Sequence, residues 1–221
     1  MASANDLVRL LPEMQFHGGL LTPAIRRDLA DLNRLYLELA LSPELWSDPR
    51  FAWCDAVRAA LVRSDQLTRS RMAASPFALF EVHIPVDRPA LGTAPFRVEE
   101  NVAPAPLGEP WQGHCLAFAQ FALFVALRLA DAAPLAMRFA LGLSPAAEQQ
   151  LNGMCPTEVA RVAASPDVVR PRWPSNPRFW AILRGAARAD SASLLQSAHC
   201  LGICLLWPDV KALAPHLPPA R

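Results

Sequence analysis

Lysine and tyrosine are nearly absent from the 221-residue chain, which contains one of each, Lys211 and Tyr36. The other basic residues are all arginine, and they balance the acidic residues to a formal net charge of +1. A charge this small excludes global electrostatic attraction to nucleic acid or to an anionic membrane, so any such attraction must be local. The bias towards arginine, alanine, leucine and proline is typical of a GC-rich bacterial genome.

Glycine is scarce, and none of the nine glycines forms a G-x-G arrangement. This excludes the dinucleotide-binding fingerprint, and Lys211 follows no glycine-rich loop, which excludes a P-loop. The motifs G-x-S-x-G, H-E-x-x-H and S-x-x-K are also missing. The sequence therefore predicts a protein that is not an enzyme and that uses no cofactor.

Cysteine is sparse and odd in number, with five residues, which argues against a disulfide framework and for a reducing compartment. His114-Cys115 and His199-Cys200 are adjacent pairs, and Cys204 follows Cys200 by about one helical turn, so zinc or a Cys–His nucleophile is conceivable. Neighbouring residues on a helix point in different directions, and free cysteine in an apolar helix behaves as a small hydrophobe. We therefore expect no metal, and a small helical enzyme using His and Cys is the third hypothesis.

Long hydrophobic runs are also lacking. The most apolar stretch, 115–130, is followed by Asp131 and falls short of the roughly 20 residues that a bilayer requires, so it predicts a buried helix. The N-terminus contains acidic residues and no long apolar core, unlike a secretory signal. We expect a cytoplasmic protein without a membrane partner.

Two similar hexapeptides, RMAASP at 71–76 and RVAASP at 161–166, lie 90 residues apart. When the sequence is aligned with itself at an offset of 90 residues, Leu61 also matches Leu151 and Ala40 matches Ala130, although most positions differ. Both copies have the same order of elements, which predicts an internal duplication. The AASP stretch is interpreted as a helix terminus, because proline prevents the helix from continuing.

The first helical unit, 1–84, is predicted to contain three helices and a short strand. The first helix begins at Thr22 and Pro23, and its apolar stripe is Leu29, Leu32, Leu35, Tyr36 and Leu39. The second begins at Ser47 or Asp48, the third covers 64–75, and alternating apolar residues predict a strand in 77–84. Residues 85–113 hold six prolines and three glycines, which predicts a linker or a long surface loop.

The second helical unit with its C-terminal helical tail covers 114–221. It is predicted to contain a buried helix at 114–131, a helix ended by Gly142, a helix capped by Ser144, and a helix at 155–165. Prolines in 166–174 remove ladder donors, so any strand there is an edge strand or is lost. The tail adds a helix capped by Ser175 or Asn176 and an apolar helix ending before Pro208. The predicted fold class is mainly α, with at most a few short strands.

Arginine and aromatic residues concentrate in 161–188, where Asp167 is the only acidic residue. This combination suits a protein interface or phosphate contact with base stacking, and it equally fits buried aromatics beneath an ordinary arginine surface. The predicted partner- or DNA-binding residues are Arg161, Arg170, Arg172, Trp173, Arg178, Trp180, Arg184 and Arg188.

Residues 137–151 have the shape of a helix-turn-helix. The second helix offers Gln149, Gln150 and Asn152 but no arginine, and Glu148 would repel phosphate, so simple packing of two helices is the favoured interpretation. The stretch 126–165 resembles the core of the FlhD family, the D subunit of the flagellar master transcription regulator, in its turn at 140–144 and its final helix at 156–165.

The resemblance implies an all-helical, dimerising protein that acts with a partner subunit on promoter DNA. The chain is about twice the family's usual length and replaces its acidic-aromatic end with the arginine and tryptophan segment, so no contact residue is carried over. The two copies would stand in for the family's dimer, related by a pseudo-twofold axis.

We therefore expect a non-enzymatic bacterial regulator or adaptor acting through protein contacts, with a FlhD-like transcription regulator as its specific form and DNA as a second partner. The alternative is an assembly or chaperone-like component of a bacterial secretion or motility machine that does not bind DNA. Salt-dependent binding to duplex DNA would favour the regulator.

Overall fold

The structure is a computed structural model that describes residues 21–84 and 110–211. These residues are mainly helical, with one two-stranded sheet, which confirms the predicted fold class. The first unit contains α1 (Pro23–Ala40), two 3₁₀ turns (Pro43–Leu45 and Pro49–Phe51), α2 (Asp55–Val62), α3 (Gln66–Ala73) and β1 (Phe80–Val82).

The second unit begins with a long helix, α4 (Pro110–Ala132), whose start precedes the predicted boundary at 114. It continues with α5 (Pro134–Leu141), α6 (Pro145–Asn152), α7 (Pro156–Ala163) and β2 (Val169–Pro171). The tail consists of α8 (Pro177–Arg188) and α9 (Ala192–Lys211), and α9 continues past Pro208, where the sequence predicted its end. Of the predicted linker at 85–113, residues 110–113 are instead the first turn of α4, while 85–109 and the ends of the chain lie outside the described residues.

Local capping signals fix most of the helix starts. Thr22 accepts a hydrogen bond from the Ile25 backbone amide at 3.3 Å, and Asp65 accepts one from Thr68 at 2.7 Å. The predicted caps Ser144 and Asn176 do the same for α6 and α8. Each cap satisfies a backbone donor that the first helical turn leaves unpaired.

The start of α2 differs from the prediction, which placed it at Ser47 or Asp48. The Asp48 carboxylate accepts hydrogen bonds from the backbone amide of Arg50 at 2.9 Å and from its Nε at 2.8 Å. Asp48 therefore closes a 3₁₀ turn instead of capping a helix, and α2 begins only at Asp55.

The two units share one core. Tyr36 of α1 lies 5.3 Å from Phe51 and 5.6 Å from Phe118 of α4, measured between ring centroids. Phe80 of β1 joins the same group at 5.1 Å from both Tyr36 and Phe118. The buried apolar residues of both units form a single continuous cluster, so the fold depends on contacts between the units.

A buried asparagine links α1 to β1 inside this core. The Asn33 amide nitrogen donates to the carbonyl oxygens of Ala73 at 3.0 Å and Phe77 at 2.9 Å. Its side-chain oxygen accepts a hydrogen bond from the Leu79 amide at 2.7 Å. Since a buried polar group is costly unless it is paired, these bonds hold the segment after α3 against α1.

The sheet joins the units directly. β1 and β2 are antiparallel, with Phe80 opposite Pro171, Glu81 opposite Arg170 and Val82 opposite Val169. Beyond the ladder, the His83 amide donates to the Val168 carbonyl at 2.8 Å and the Arg172 amide donates to the Leu79 carbonyl at 3.2 Å. With two strands only, β2 is an edge strand, as its prolines predicted.

Helix boundaries recur at a spacing of 90 residues. α2 covers 55–62 and α6 covers 145–152, while α3 covers 66–73 and α7 covers 156–163. Both AASP stretches lie at helix ends, which confirms their interpretation as termini. The units differ elsewhere, because α5 occupies the place that two 3₁₀ turns take in the first unit.

The helical tail packs on the first unit. α8 contacts α2 and α3, and α9 contacts α8. Trp180 of α8 lies 4.6 Å from Trp53, measured between ring centroids. Arg71 of α3 donates to the Ala187 carbonyl at 3.1 Å and pairs with Asp190 at 2.7 Å, which holds the C-terminal end of α8.

Candidate functional site

The predicted arginine and tryptophan surface does not form one continuous patch. Arg161 is exposed on α7, which packs on α4, whereas Arg178, Arg184 and Arg188 lie on α8, which packs on α2 and α3. Arg170 is exposed on β2 and pairs with Asp167 at 3.1 Å. Of these arginines, Arg184 is half-buried and the others are exposed.

Two members of the predicted surface, Arg172 and Trp180, are buried, so the prediction that they contact a partner is wrong. Arg172 donates to the Ala140 carbonyl at 3.2 Å, and its Nε lies 3.6 Å from Glu81. Trp180 donates to the Trp173 carbonyl at 3.2 Å and packs in the aromatic core. Both side chains hold the β2–α8 connection in place. Trp173 itself is half-buried against Phe77 and Phe179.

The histidine and cysteine pairs are separated by the fold. His114 is exposed while Cys115 is buried, because adjacent helical residues point to different sides. His199 is half-buried against Phe77, and burial lowers its pKa. In the described ranges, 21–84 and 110–211, no group of three or more His, Cys, Asp or Glu side chains is placed to hold a metal ion.

A buried ion pair lies beside Cys115. Burial alone would raise the pKa of Asp48, but hydrogen bonds from Arg50 and its charge outweigh burial and lower it. Burial raises the pKa of the Cys115 thiol, which keeps it protonated and unreactive. The Tyr36 hydroxyl donates to the Arg50 carbonyl at 2.9 Å and accepts from Trp53 at 3.2 Å. The group therefore stabilises the turn at 48–53.

The helix-turn-helix shape is present in the second unit. α5 ends at Gly142, whose φ of 74° is left-handed, and Ser144 caps α6. Arg138 and Glu148 form a largely buried ion pair between the two helices. Glu148, which would repel phosphate if exposed, is thus used to join α5 to α6.

A groove lies on the surface between α1 and α4. It has a volume of about 460 Å³ and is lined by Leu35, Glu38, Leu39, Ser42, His114, Ala117, Phe118 and Phe121. Leu35 and Phe121 are 40% and 42% exposed, and Phe124, one turn further along α4, is 49% exposed. We call these residues, together with the ion pairs Asp28–Arg128 and Asp31–Arg34 beyond them, the α1–α4 face.

Sequence reasoning missed the α1–α4 face because it placed Leu35 in the buried stripe of α1 and the run 115–130 in a buried helix. The apolar residues of α4 occur nearly all around the helix, so periodicity did not show which side faces the core. The signal that was available is the recurrence of His114, Ala117, Phe121 and Phe124 at spacings of three and four, which is one helix face.

The electrostatics of the α1–α4 face are nearly balanced. Asp28 of α1 and Arg128 of α4 form an ion pair at one end, and Asp31 pairs with Arg34 at 2.6 Å. Glu38 lies at the other end and takes part in no ion pair within the described residues.

One helix within the described residues, at Gln112–Asp131, is long and apolar enough to cross a membrane by length and composition alone. The uncharged residues Gln112 to His114 extend the run that the sequence analysis judged too short. Half of this segment is buried inside the protein, where α4 packs on α1, α5, α6 and α7. Comparisons with protein-family models, with curated proteins and with solved structures found no match, so the site rests on its own geometry.

Proposed function

We propose that the chain is a non-enzymatic regulator or adaptor that acts through protein contacts made by the α1–α4 face. The observation that carries this proposal is the exposure of Leu35, Phe121 and Phe124 around one groove. Large apolar side chains grouped in this way, with polar residues at the edge, are typical of protein interaction sites.

A FlhD-like transcription regulator is the specific form of this proposal. It is supported by the helix-turn-helix shape of α5 and α6 and by the exposed arginines Arg161, Arg170, Arg178 and Arg188. DNA is the less favoured partner, because those arginines lie on three separate elements and Arg170 already pairs with Asp167. The alternative is an assembly or chaperone-like component of a secretion or motility machine, which needs the same face and no DNA.

We also propose that the two units arose by duplication and are related by a pseudo-twofold axis. The support is the 90-residue spacing of α2 with α6 and of α3 with α7. Two hydrogen bonds flank the ladder, from the His83 amide to the Val168 carbonyl and from the Arg172 amide to the Leu79 carbonyl. An offset of 89 residues aligns His83 with Arg172 and Leu79 with Val168, so the two bonds are equivalent under the proposed axis. One residue fewer between α7 and β2 accounts for the change from 90 to 89.

Crosslinking through the α1–α4 face tests the proposed function. A photoreactive residue replacing Leu35 should capture a specific protein in bacterial cells, and the captured protein is then purified and its binding measured. Phe121→Asp and Phe124→Asp should each weaken that binding about five- to thirtyfold, since burying the rest of a half-exposed aromatic ring contributes about 1–2 kcal/mol.

Leu67→Asp is the matched control, because Leu67 is 59% exposed on α3 and lies away from the groove. It should bind the partner as the unchanged protein does. Equal binding by Phe121→Asp would contradict the proposal. Salt-dependent binding of duplex DNA that survives Phe121→Asp would instead assign the function to the arginines.

A further inference from the structure

The length of the α1–α4 face matches a helix. α1 and α4 run antiparallel, because Asp28 near the start of α1 meets Arg128 near the end of α4, while Ser42 and His114 meet at the opposite end. Leu35 and Phe121 stand midway along their helices between these ends. The groove itself runs from 35 to 42, about 10 Å or two helical turns, and the surface beside it continues past Phe124 to the Asp28–Arg128 pair, which gives about 21 Å or four turns in all.

The chemistry of the α1–α4 face divides along this length. Its middle is apolar, formed by Leu35, Leu39, Phe118 and Phe121. The end at Asp28 carries two ion pairs, and within each pair the two charges neutralise each other. The end at Ser42 carries His114 and Glu38, the one carboxylate among the residues that line the groove. The face therefore offers an apolar channel with one acidic end.

We propose that the α1–α4 face binds an amphipathic helix of a partner protein, about four turns long, with a basic side chain at the end that meets Glu38. This inference rests on the proposed function and names its partner class. A groove between two antiparallel helices accepts a third helix by the same ridge-and-groove packing that joins the first two. A helix also satisfies its own backbone groups, whereas a strand needs a free sheet edge, and α1 and α4 provide none.

The charges of the α1–α4 face favour a protein helix over a lipid surface. Surfaces that insert aromatic residues into membranes usually surround them with Lys and Arg that attract anionic lipids. Here the two ion pairs and Glu38 contribute Asp28, Asp31 and Glu38 against Arg34 and Arg128, a balance of −1. A basic residue on the partner would complement Glu38 and fix the register of the bound helix.

Two synthetic peptides of about 14 residues test the proposal. Both carry leucines at positions i, i+3, i+4 and i+7, and they differ only in bearing arginine or glutamate at both ends, so that binding direction does not matter. Fluorescence anisotropy should show that the full chain binds the arginine peptide at least fivefold more tightly than the glutamate peptide. Glu38→Arg should reverse this preference, and Phe121→Asp should weaken both peptides tenfold or more.

Asp167→Arg is the control for charge, because it makes the same change on an exposed residue outside the face. It should leave the preference for the arginine peptide unchanged. If Phe121→Asp loses the far-ultraviolet circular dichroism of a folded helical protein, then Phe121→Ala and Phe124→Asp take its place.

Equal binding of the two peptides, or a preference that Glu38→Arg leaves intact, would overturn the proposal. So would binding to phosphatidylglycerol vesicles, or dimerisation in sedimentation experiments, that Phe121→Asp abolishes. Failure of the peptides combined with Phe121-dependent capture of a partner would remove the helix inference and leave the proposed function standing. Capture that ignores Phe121 would remove both.

Discussion

Arg172 has a structural role at the junction of the two units. Its guanidinium reaches the last turn of α5 through the Ala140 carbonyl, approaches Glu81 of β1, and lies 5.7 Å from the centre of the Trp173 ring. Glu81 is only partly buried, so the pair is open to water on one side. The side chain therefore connects α5, β1 and the start of the tail.

Arg172→Ala should lower the free energy of unfolding by about 3 kcal/mol, because it leaves a cavity where a fully buried side chain stood and removes its hydrogen bond to Ala140 and its ion pair with Glu81. Arg170→Ala is the matched control, since Arg170 is exposed and its pair with Asp167 should contribute less than about 0.5 kcal/mol. Urea unfolding measures both. Equal stabilities of the two variants would show that Arg172 is not structural.

The sequence alone does not indicate that Arg170 is exposed and Arg172 is buried. Strand alternation places both on the same face of β2, yet one is exposed and the other is buried. The strand ends at Pro171, and Trp173 adopts a φ of 51°, which is rare for a residue other than glycine. This bend turns Arg172 inward. The bend depends on the packing of Trp173 against Phe77 and Phe179, and Phe77 is too distant in sequence for this contact to be predicted.

Helices and their ends follow the sequence much more closely. Thr22, Ser144 and Gly142 occupy the cap positions that the sequence predicts, and of the two candidates Ser175 and Asn176 it is Asn176 that caps α8. Capping is a contact within four residues, so local sequence contains all of it. The predicted start of α2 is wrong because the Asp48 side chain, a residue type that often caps helices, instead accepts hydrogen bonds from Arg50 two residues later.

Substituting alanine for glycine should have opposite effects on stability at Gly142, which follows the end of α5, and at Gly185, which lies inside α8. Gly142→Ala should destabilise the protein by about 2 kcal/mol, because the residue has a φ of 74° and a Cβ there would lie 2.5 Å from Nη2 of Arg172. Gly185→Ala should stabilise α8 by about 0.5–1 kcal/mol, since a Cβ there would meet nothing within 4 Å.

Urea unfolding of the two glycine variants checks their opposite signs. A stabilising Gly142→Ala would show that α5 ends in another conformation, and a destabilising Gly185→Ala would show that the exposed side of α8 is covered in solution. The second result would also point to a contact surface on α8 beside its arginines.

The whole molecule is held together by contacts between its units. Tyr36, Phe80 and Phe118 meet across the boundary, and β1 pairs with β2. The order of helices is predictable from the sequence, because apolar periodicity and capping residues mark each helix locally. The shared core and the α1–α4 face are not predictable in this way, since both depend on which helices pack against each other.

Separating the chain between 84 and 85 tests the shared core. Fragments 1–84 and 85–221 produced alone should lack cooperative thermal unfolding, because each loses the apolar surface that the other buries. Produced together, they should co-purify and recover helical circular dichroism. A fragment that unfolds cooperatively by itself would identify an independent domain and contradict the single core.

Asn33 makes three buried hydrogen bonds on one side of the proposed twofold axis, and the position 90 residues later, Leu123, is buried and apolar. In a symmetric pair of identical chains, every mutation appears twice, so such a difference cannot arise. Fusing the two copies into one gene removes that restriction. Under the proposed duplication each half can diverge separately, one to a buried polar residue with backbone partners and the other to a buried apolar residue.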